Sequence, residues 1–254
     1  MSRSIRRLTG AAVAGICIAA LAAPAFAAPG GSQGKGNPQG PLMDLQILSF
    51  NDFHGNLEPI VSTSSSGRLQ VDPYVDFEDV DRDGNTTEMV NMRAAGGVEY
   101  LATHLDQARA GHRNTLTVAA GDIVGASPLL SAAFHDEPTI ESMNALGLDV
   151  TAVGNHEFDE GYRELQRLAD GGCIDDGDGA NNQNSCPDGS FGGADFDVLA
   201  ANVIENATGN TILPAYTVKN LNGAKIGFIG MTLRDTPSIV TASGVAGLEF
   251  TDEV

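Results

Sequence analysis

The stretch LQILSFNDFHG (residues 45–55) joins an apolar run to a polar end, and it directs the choice of fold. Its first half, Leu45 to Phe50, is short and apolar, as is typical of a buried β-strand. Its second half carries Asp52 and His54, two positions apart, directly after the predicted strand. In an extended chain alternate side chains point the same way, so these two groups could face one metal ion. Taken alone, the pair is equally consistent with a polar surface turn.

Two further predicted strands also end in polar residues. The β-branched segment 115–120 is followed by Gly121-Asp122, and the segment 149–153 is followed by GNHEFD at 154–159. Ligands of layered α/β proteins gather at strand ends, because loops can converge there without disturbing the core. Apolar spacing and turn residues predict the other elements, which are helices near 96–110, 138–146 and 160–169, a strand near 196–201, and a hairpin of 216–220 and 225–230 around Asn222-Gly223. The sequence therefore predicts an α/β fold.

The polar groups at the three strand ends are those that a two-metal phosphoesterase needs. In such a site a carboxylate bridges two divalent ions about 3.5–4 Å apart, and the ions convert a bound water into a hydroxide nucleophile. An imidazole that binds neither ion can stabilise the phosphoryl group or protonate the leaving oxygen. His156, with Asp159 three residues later, provides an imidazole and a carboxylate to orient it.

In this order, the motifs D-x-H, G-D and G-N-H-E-F-D resemble those of the calcineurin-like metallophosphoesterase superfamily. The longer segments resemble its exported branch, which contains 5′-nucleotidases, 2′,3′-cyclic-nucleotide phosphodiesterases and UDP-sugar hydrolases. These segments are NDFHG (51–55), AAGDIVGASPLLS (119–131), NALGLDVTAVGNHEFDEG (144–161) and FIGMT (228–232). The resemblance extends over roughly residues 44–235.

The resemblance implies a set of ligands for two divalent ions, which are Asp52 and His54 for the first, Asp122 as the bridge, and Asn155 for the second. It implies that His156 is the catalytic imidazole and that Asp159 orients it. The implied fold is a four-layer α/β/β/α sandwich of two facing mixed sheets. The mixed nitrogen and oxygen ligands are compatible with Zn, Mn, Fe or Co.

The implied function is hydrolysis of nucleotide phosphate esters by a metal-activated hydroxide, with assistance from His156. A secreted nuclease or cyclic-nucleotide phosphodiesterase on the same scaffold is an alternative. A further alternative is an inactive extracellular binding module.

The family completes its metal sites with further histidines, including a G-H-x-H motif, whereas this sequence has no histidine after His156. We therefore expect residues 42–254 to be the N-terminal part of a catalytic domain, with loop insertions at 61–92 and 171–194. We expect this part to have weak activity or none by itself. We interpret the remaining histidines, His104, His112 and His135, as ordinary helix or loop residues.

The first residues predict export from the cytoplasm. Three arginines precede an apolar run at 11–22, and Ala25-Phe26-Ala27 fits a small-x-small cleavage site, so residues 1–27 are predicted to be a signal peptide. The run is too short and too rich in alanine for a membrane span. Residues 28–41 are rich in glycine and predict a flexible tether to a secreted domain.

The cysteines agree with export, and the negative net charge argues against electrostatic binding to nucleic acid. Cys173 and Cys186 flank a loop rich in Gly, Asp and Asn, and in an exported protein such a pair is predicted to form a disulfide. The formal charge of −19 argues against nonspecific binding to nucleic acid or anionic membranes.

Overall fold

The computed structural model of the chain describes residues 42–59, 96–174 and 184–253, together with the backbone of four short strands between residues 68 and 94. The predicted signal peptide and tether lie outside the described residues, as does most of the predicted insertion at 61–92. Among the described helices, none has both the length and the apolar character needed to cross a membrane.

From residue 98 to residue 199, helices separate the described strands along the chain. The helices are α1 (Val98–Arg109), α2 (Leu129–Ala132), α3 (Glu137–Leu146) and α4 (Tyr162–Asp170). The strands are β1 (Gln46–Phe50), β2 (Arg68–Gln70), β3 (Phe77–Glu78), β4 (Glu88–Met89), β5 (Met92–Ala94), β6 (Thr115–Ala119), β7 (Val150–Ala152), β8 (Asp197–Leu199), β9 (Val203–Glu205), β10 (Tyr216–Leu221), β11 (Ala224–Ile229) and β12 (Leu248–Phe250). Short 3₁₀ turns cover His156–Phe158 and Thr236–Ser238.

The central sheet has four parallel strands in the order β1, β6, β7 and β8. Phe50 pairs with Ala119 in the register, and Ala119 pairs with Thr151, so β1, β6 and β7 end side by side. The remaining described strands form antiparallel pairs, which are β10 with β11, β9 with β12, β2 with β5, and β3 with β4. The parallel sheet confirms the α/β class, while the four-layer arrangement of two mixed sheets stays a prediction.

Local sequence explains where several elements begin and end. Pro138 lies in the first turn of α3, where its missing N–H is not needed, and Gly147 ends the helix in the left-handed conformation (φ 70°). In the hairpin of β10 and β11, Asn222 and Gly223 both have positive φ (49° and 90°), as a two-residue turn between twisted strands requires. The predicted hairpin is therefore confirmed.

Two hydrophobic clusters lie directly beneath the loops that follow β6 and β7. In the first cluster, Leu105 of α1 and Met143 of α3 pack with Ile123, the residue after Asp122. In the second cluster, the ring of Phe158 packs edge-on against Phe250 of β12, with ring centroids 5.2 Å apart. Because both clusters contain residues of the strand-end loops, core packing anchors those loops.

Candidate active site

The loops after β1 and β6 lie side by side and hold their polar residues in register. The backbone N–H of Asp52 donates to the carbonyl of Gly121 (3.2 Å), and that of His54 donates to the carbonyl of Asp122 (3.0 Å). Asp52, His54 and Asp122 all have left-handed backbone conformations, with φ of 53°, 49° and 52°. Such conformations are uncommon for residues other than glycine and cluster at functional sites. The extended geometry expected for Asp52 and His54 is therefore wrong, although their side chains do converge.

The side chains of Asp52, His54 and Asp122 form a cluster with the chemistry of a cation site. One potential ligand atom from each lies within 4.8 Å of the others. Nδ1 of His54 donates to the carbonyl oxygen of Gly125 (2.9 Å), which leaves the lone pair on Nε2, and Nε2 lies 3.8 Å from Oδ1 of Asp52. The amide of Asn51 donates to the other oxygen of Asp52. Two carboxylates and one oriented imidazole fit a borderline divalent cation.

The carboxylate of Asp122 is held from the β7 side of the site. Its Oδ1 accepts the backbone N–H of His156 (2.9 Å). It lies so close to Gly154 that a Cβ at that position would be only 2.3 Å from Oδ1. Gly121 in turn approaches the backbone nitrogen of Gly154, where a Cβ would also meet an atom at 2.3 Å. The carboxylate of Asp122, in the loop after β6, therefore lies against the loop after β7.

Glu157 is a buried residue of the site to which the sequence assigned no role. Its carboxylate accepts three backbone N–H groups, from Asp122 (2.9 Å), Ile123 (2.8 Å) and Gly154 (2.6 Å). Burial raises the pKa of Glu157 to about 7, and the hydrogen bonds from these amides oppose that rise. Glu157 thus joins the two loops that position Asp122. Its place inside the GNHEFD motif was the only signal of it in the sequence.

His156 and Asp159 form the imidazole–carboxylate pair that the sequence predicted. Nδ1 of His156 lies 2.8 Å from Oδ2 of Asp159, and the same oxygen accepts the backbone N–H of Ala126 (3.1 Å). The hydrogen bond to Asp159 raises the pKa of His156, whereas partial burial opposes the rise. The ring of His156 stands edge-on to that of His54, with centroids 4.8 Å apart. The pair therefore lies beside the cation cluster, with the His156 side chain about one third exposed.

Asn155 lies directly before His156, at the start of the 3₁₀ turn, and its side chain is half-buried. Its carbonyl oxygen accepts the backbone N–H of Phe158 (3.2 Å). Asp122 and Asn155 are the two residues assigned to a second ion, and they are fewer than the ligands that such an ion needs.

The predicted disulfide between Cys173 and Cys186 is confirmed. The backbone N–H of Cys186 donates to Oε2 of buried Glu137 at the start of α3 (2.7 Å). The disulfide therefore closes a loop within the segment after α4, and this hydrogen bond attaches that loop to the start of α3.

The solved structures that share the fold include two phosphoesterases. The 5′-nucleotidase precursor of Thermus thermophilus matches with a TM-score of 0.53 and 24% identity, over 82% of this chain and 32% of that one. The calcineurin-like phosphoesterase YfkN of Bacillus subtilis matches with a TM-score of 0.50 and 23% identity, over 83% of this chain and 55% of that one. No protein-family model matches the chain.

The relatives that are similar in sequence include the following three proteins. An uncharacterized protein from the pqq-V 5′ region of Acinetobacter calcoaceticus is 43% identical over 183 residues, which are 70% of this chain and 79% of that protein. Endonuclease YhcR of Bacillus subtilis is 36% identical over 82% of this chain, and the snake venom 5′-nucleotidase of Gloydius brevicauda is 31% identical over 83%. The chain spans only 15% of YhcR and 29% of the venom enzyme.

The parallel sheet, the strand-end cluster and the similarity in sequence to 5′-nucleotidases assign the chain to the calcineurin-like phosphoesterases, a class of hydrolases. Within this class, the chain belongs to the branch that contains the 5′-nucleotidases.

Proposed function

We propose that this chain carries the catalytic centre of an exported two-metal phosphoesterase that hydrolyses nucleotide phosphate esters. The observation that carries the proposal is the position of the His156–Asp159 pair beside the cluster of Asp52, His54 and Asp122. An oriented imidazole next to a cation cluster is the combination that phosphoryl transfer to water requires.

The residues present fit a first divalent ion, with Asp52, His54 and Asp122 as its ligands. The fit rests on the imidazole of His54, whose Nδ1 is already held by the Gly125 carbonyl so that Nε2 faces Asp52. Asp122 and Asn155 would contribute to a second ion. Bound divalent ions would neutralise phosphate charge and lower the pKa of water at the site.

The protein's own contribution to the chemistry centres on His156. Because Asp159 holds Nδ1, the opposite ring nitrogen, Nε2, is the atom that meets the substrate. There it donates a hydrogen bond to a phosphoryl oxygen or a proton to the leaving oxygen. The backbone N–H of Ala126 fixes the Asp159 carboxylate, so the orientation of the imidazole does not depend on the substrate.

Two relatives support a nucleotide or polynucleotide substrate. One is the snake venom 5′-nucleotidase and the other is Endonuclease YhcR. The formal charge of −19 favours small nucleotides over long nucleic acids, because phosphate polymers are repelled by an acidic surface. A nuclease or cyclic-nucleotide phosphodiesterase is the second candidate, and the 36% identity to YhcR favours it.

A substrate panel separates these functions. The protein that contains this chain is incubated with Mn²⁺ or Zn²⁺ and AMP, 2′,3′-cyclic AMP, UDP-glucose or single-stranded DNA. Release of phosphate from AMP supports the 5′-nucleotidase assignment, whereas cleavage of DNA or of the cyclic nucleotide alone supports the second candidate. Replacement of His156 by Ala should abolish turnover and leave cation content unchanged. Cation binding without turnover of any substrate would indicate a binding module.

A further inference from the structure

A second cluster of side chains that could hold a cation lines the same cavity as the His156–Asp159 pair. It consists of His135, Glu160 and Glu164, and one potential ligand atom from each lies within 4.8 Å of the others. His135 is buried, with 5% of its side chain exposed, and its Nδ1 lies 2.6 Å from Oε2 of Glu160. The interpretation of His135 as an ordinary loop residue does not describe this environment.

The cluster lies next to further charged groups. Glu137 is buried and the side chain of Glu164 is 10% exposed, and both pair with Arg167, at 2.7 and 2.6 Å respectively. One guanidinium is thus shared by two carboxylates, and Glu160, with a side chain that is 38% exposed, brings a further carboxylate beside His135. Carboxylates that lie close together repel one another, and a bound cation would offset that cost.

The side chains of His135, Glu160 and Glu164 could bind a metal ion in addition to forming ion pairs. Oε2 of Glu164 accepts a hydrogen bond from Nε of Arg167 (2.8 Å), and a carboxylate oxygen has a second lone pair for a cation. A divalent cation would replace the proton that His135 and Glu160 share. One imidazole and two carboxylates, with an open position for water, is a donor set that Zn²⁺ accepts.

An ion bound by this cluster would connect segments of the chain that lie next to the His156–Asp159 pair. Glu160 directly follows Asp159, Glu164 lies in the first turn of α4, and His135 comes from the loop before α3. A cavity of about 220 Å³ is lined by these three residues together with His156 and Asp159. An ion bound to all three ligands would fix the segment that carries Asp159.

We propose that His135, Glu160 and Glu164 form a further divalent-cation site, suited to Zn²⁺, that fixes the segment carrying Asp159. This site is separate from the one formed by Asp52, His54 and Asp122, and it binds its ion whether or not the proposed substrate is correct.

The test measures Zn²⁺ binding to the 254-residue chain after the first site has been disabled. The background variant carries Asp52→Asn and His54→Gln, and calorimetric titration is carried out in excess Mg²⁺ to fill weak carboxylate sites. We expect this variant to bind one Zn²⁺. Adding His135→Gln should weaken that binding by about tenfold or more. Adding His104→Gln, an exposed histidine on α1, is the matched control and should change nothing.

Two results would overturn the proposal, namely a background variant that binds no Zn²⁺ and binding that survives His135→Gln unchanged. If circular dichroism shows that His135→Gln does not fold, Glu160→Gln replaces it, because the Glu160 side chain is 38% exposed and is not needed for core packing. It should weaken binding similarly, whereas Glu141→Gln, on the exposed face of α3, should not. Equal affinity in the Glu160 and Glu141 variants would also refute the site.

Discussion

Replacement of Gly154 by alanine tests whether the position of Asp122 controls cation binding. The added Cβ would lie 2.3 Å from Oδ1 of Asp122 and 2.9 Å from its backbone nitrogen. Ordinary contact begins at 3.4 Å, so the carboxylate must retreat by about 1.1 Å. It cannot do so freely, because the backbone N–H of His156 donates to the same oxygen (2.9 Å). The substitution therefore forces a candidate metal ligand out of place.

We expect Gly154→Ala to lower cation affinity and turnover strongly and the free energy of unfolding only modestly. A displacement of about 1 Å at a reacting centre can lower a rate about a hundredfold. Overpacking of this size costs about 1–3 kcal/mol of unfolding free energy. We therefore expect Gly154→Ala to fold, to bind Mn²⁺ at least about tenfold more weakly, and to lower phosphate release by about a hundredfold.

The assay pairs calorimetric titration of the chain with thermal unfolding, and phosphate release is followed in the protein that contains the chain. Gly227→Ala is the matched control, since this glycine of β11 has nothing within 4 Å of the added Cβ and no positive φ. Wild-type cation affinity in a folded Gly154→Ala variant would show that Asp122 is not a ligand or that its position does not matter.

Three further predictions concern the residues around this centre. Asp159→Asn should lower turnover about a hundredfold while cation affinity stays unchanged, because it removes the group that orients His156. Glu157→Gln should lower the free energy of unfolding by about 1–3 kcal/mol, measured by urea titration, because an amide cannot satisfy the three backbone donors as a carboxylate does. Replacing Cys173 and Cys186 by serine should lower it by about 3 kcal/mol, since the bridge closes a short loop of 13 residues.

Each of these predictions has a control or a result that contradicts it. Weaker cation binding by Asp159→Asn would place Asp159 in the metal site and not behind the imidazole. Glu141→Gln, at an exposed position, is the control for Glu157→Gln and should leave the free energy of unfolding at its wild-type value. The serine variant should unfold at the same urea concentration as the wild type whose disulfide has been reduced. A difference between the two would mean that the serine substitutions affect stability in some way other than by removing the bridge.

The apolar periodicity and the turn residues were sufficient to predict the strands of the central sheet and the main helices between them. The predicted helix at 138–146 and the observed Glu137–Leu146 differ by one residue, because Pro138 and Gly147 mark its ends chemically. The pairs β9–β12 and β2–β5 were not predicted. Their strands have three residues each, too few for an alternating pattern, and β9 is separated from its partner by more than 40 residues of chain.

The identity of the candidate ligands could be predicted from the sequence, whereas their backbone conformations could not. Metal-capable side chains at the ends of consecutive parallel strands must meet at one edge of the sheet, so position alone brings Asp52 and Asp122 together. Their left-handed conformations depend on hydrogen bonds between two loops, and no local pattern encodes those. His135 and Glu160 show the same limit, because they lie 25 residues apart and meet only through the tertiary fold.

Glu157 explains how the candidate ligands can be held in place before any ion binds. The left-handed conformation of Asp122 costs about 1–3 kcal/mol. The backbone N–H groups of Asp122 and Ile123 both donate to the buried side chain of Glu157. Buried donors without acceptors would add a similar cost, and the buried carboxylate of Glu157 removes it by accepting both, together with Gly154. The same bonds tie the β6 loop to the β7 loop, which carries His156. Because one carboxylate positions both Asp122 and the start of the segment that carries His156, the fold itself preorganises these candidate site residues.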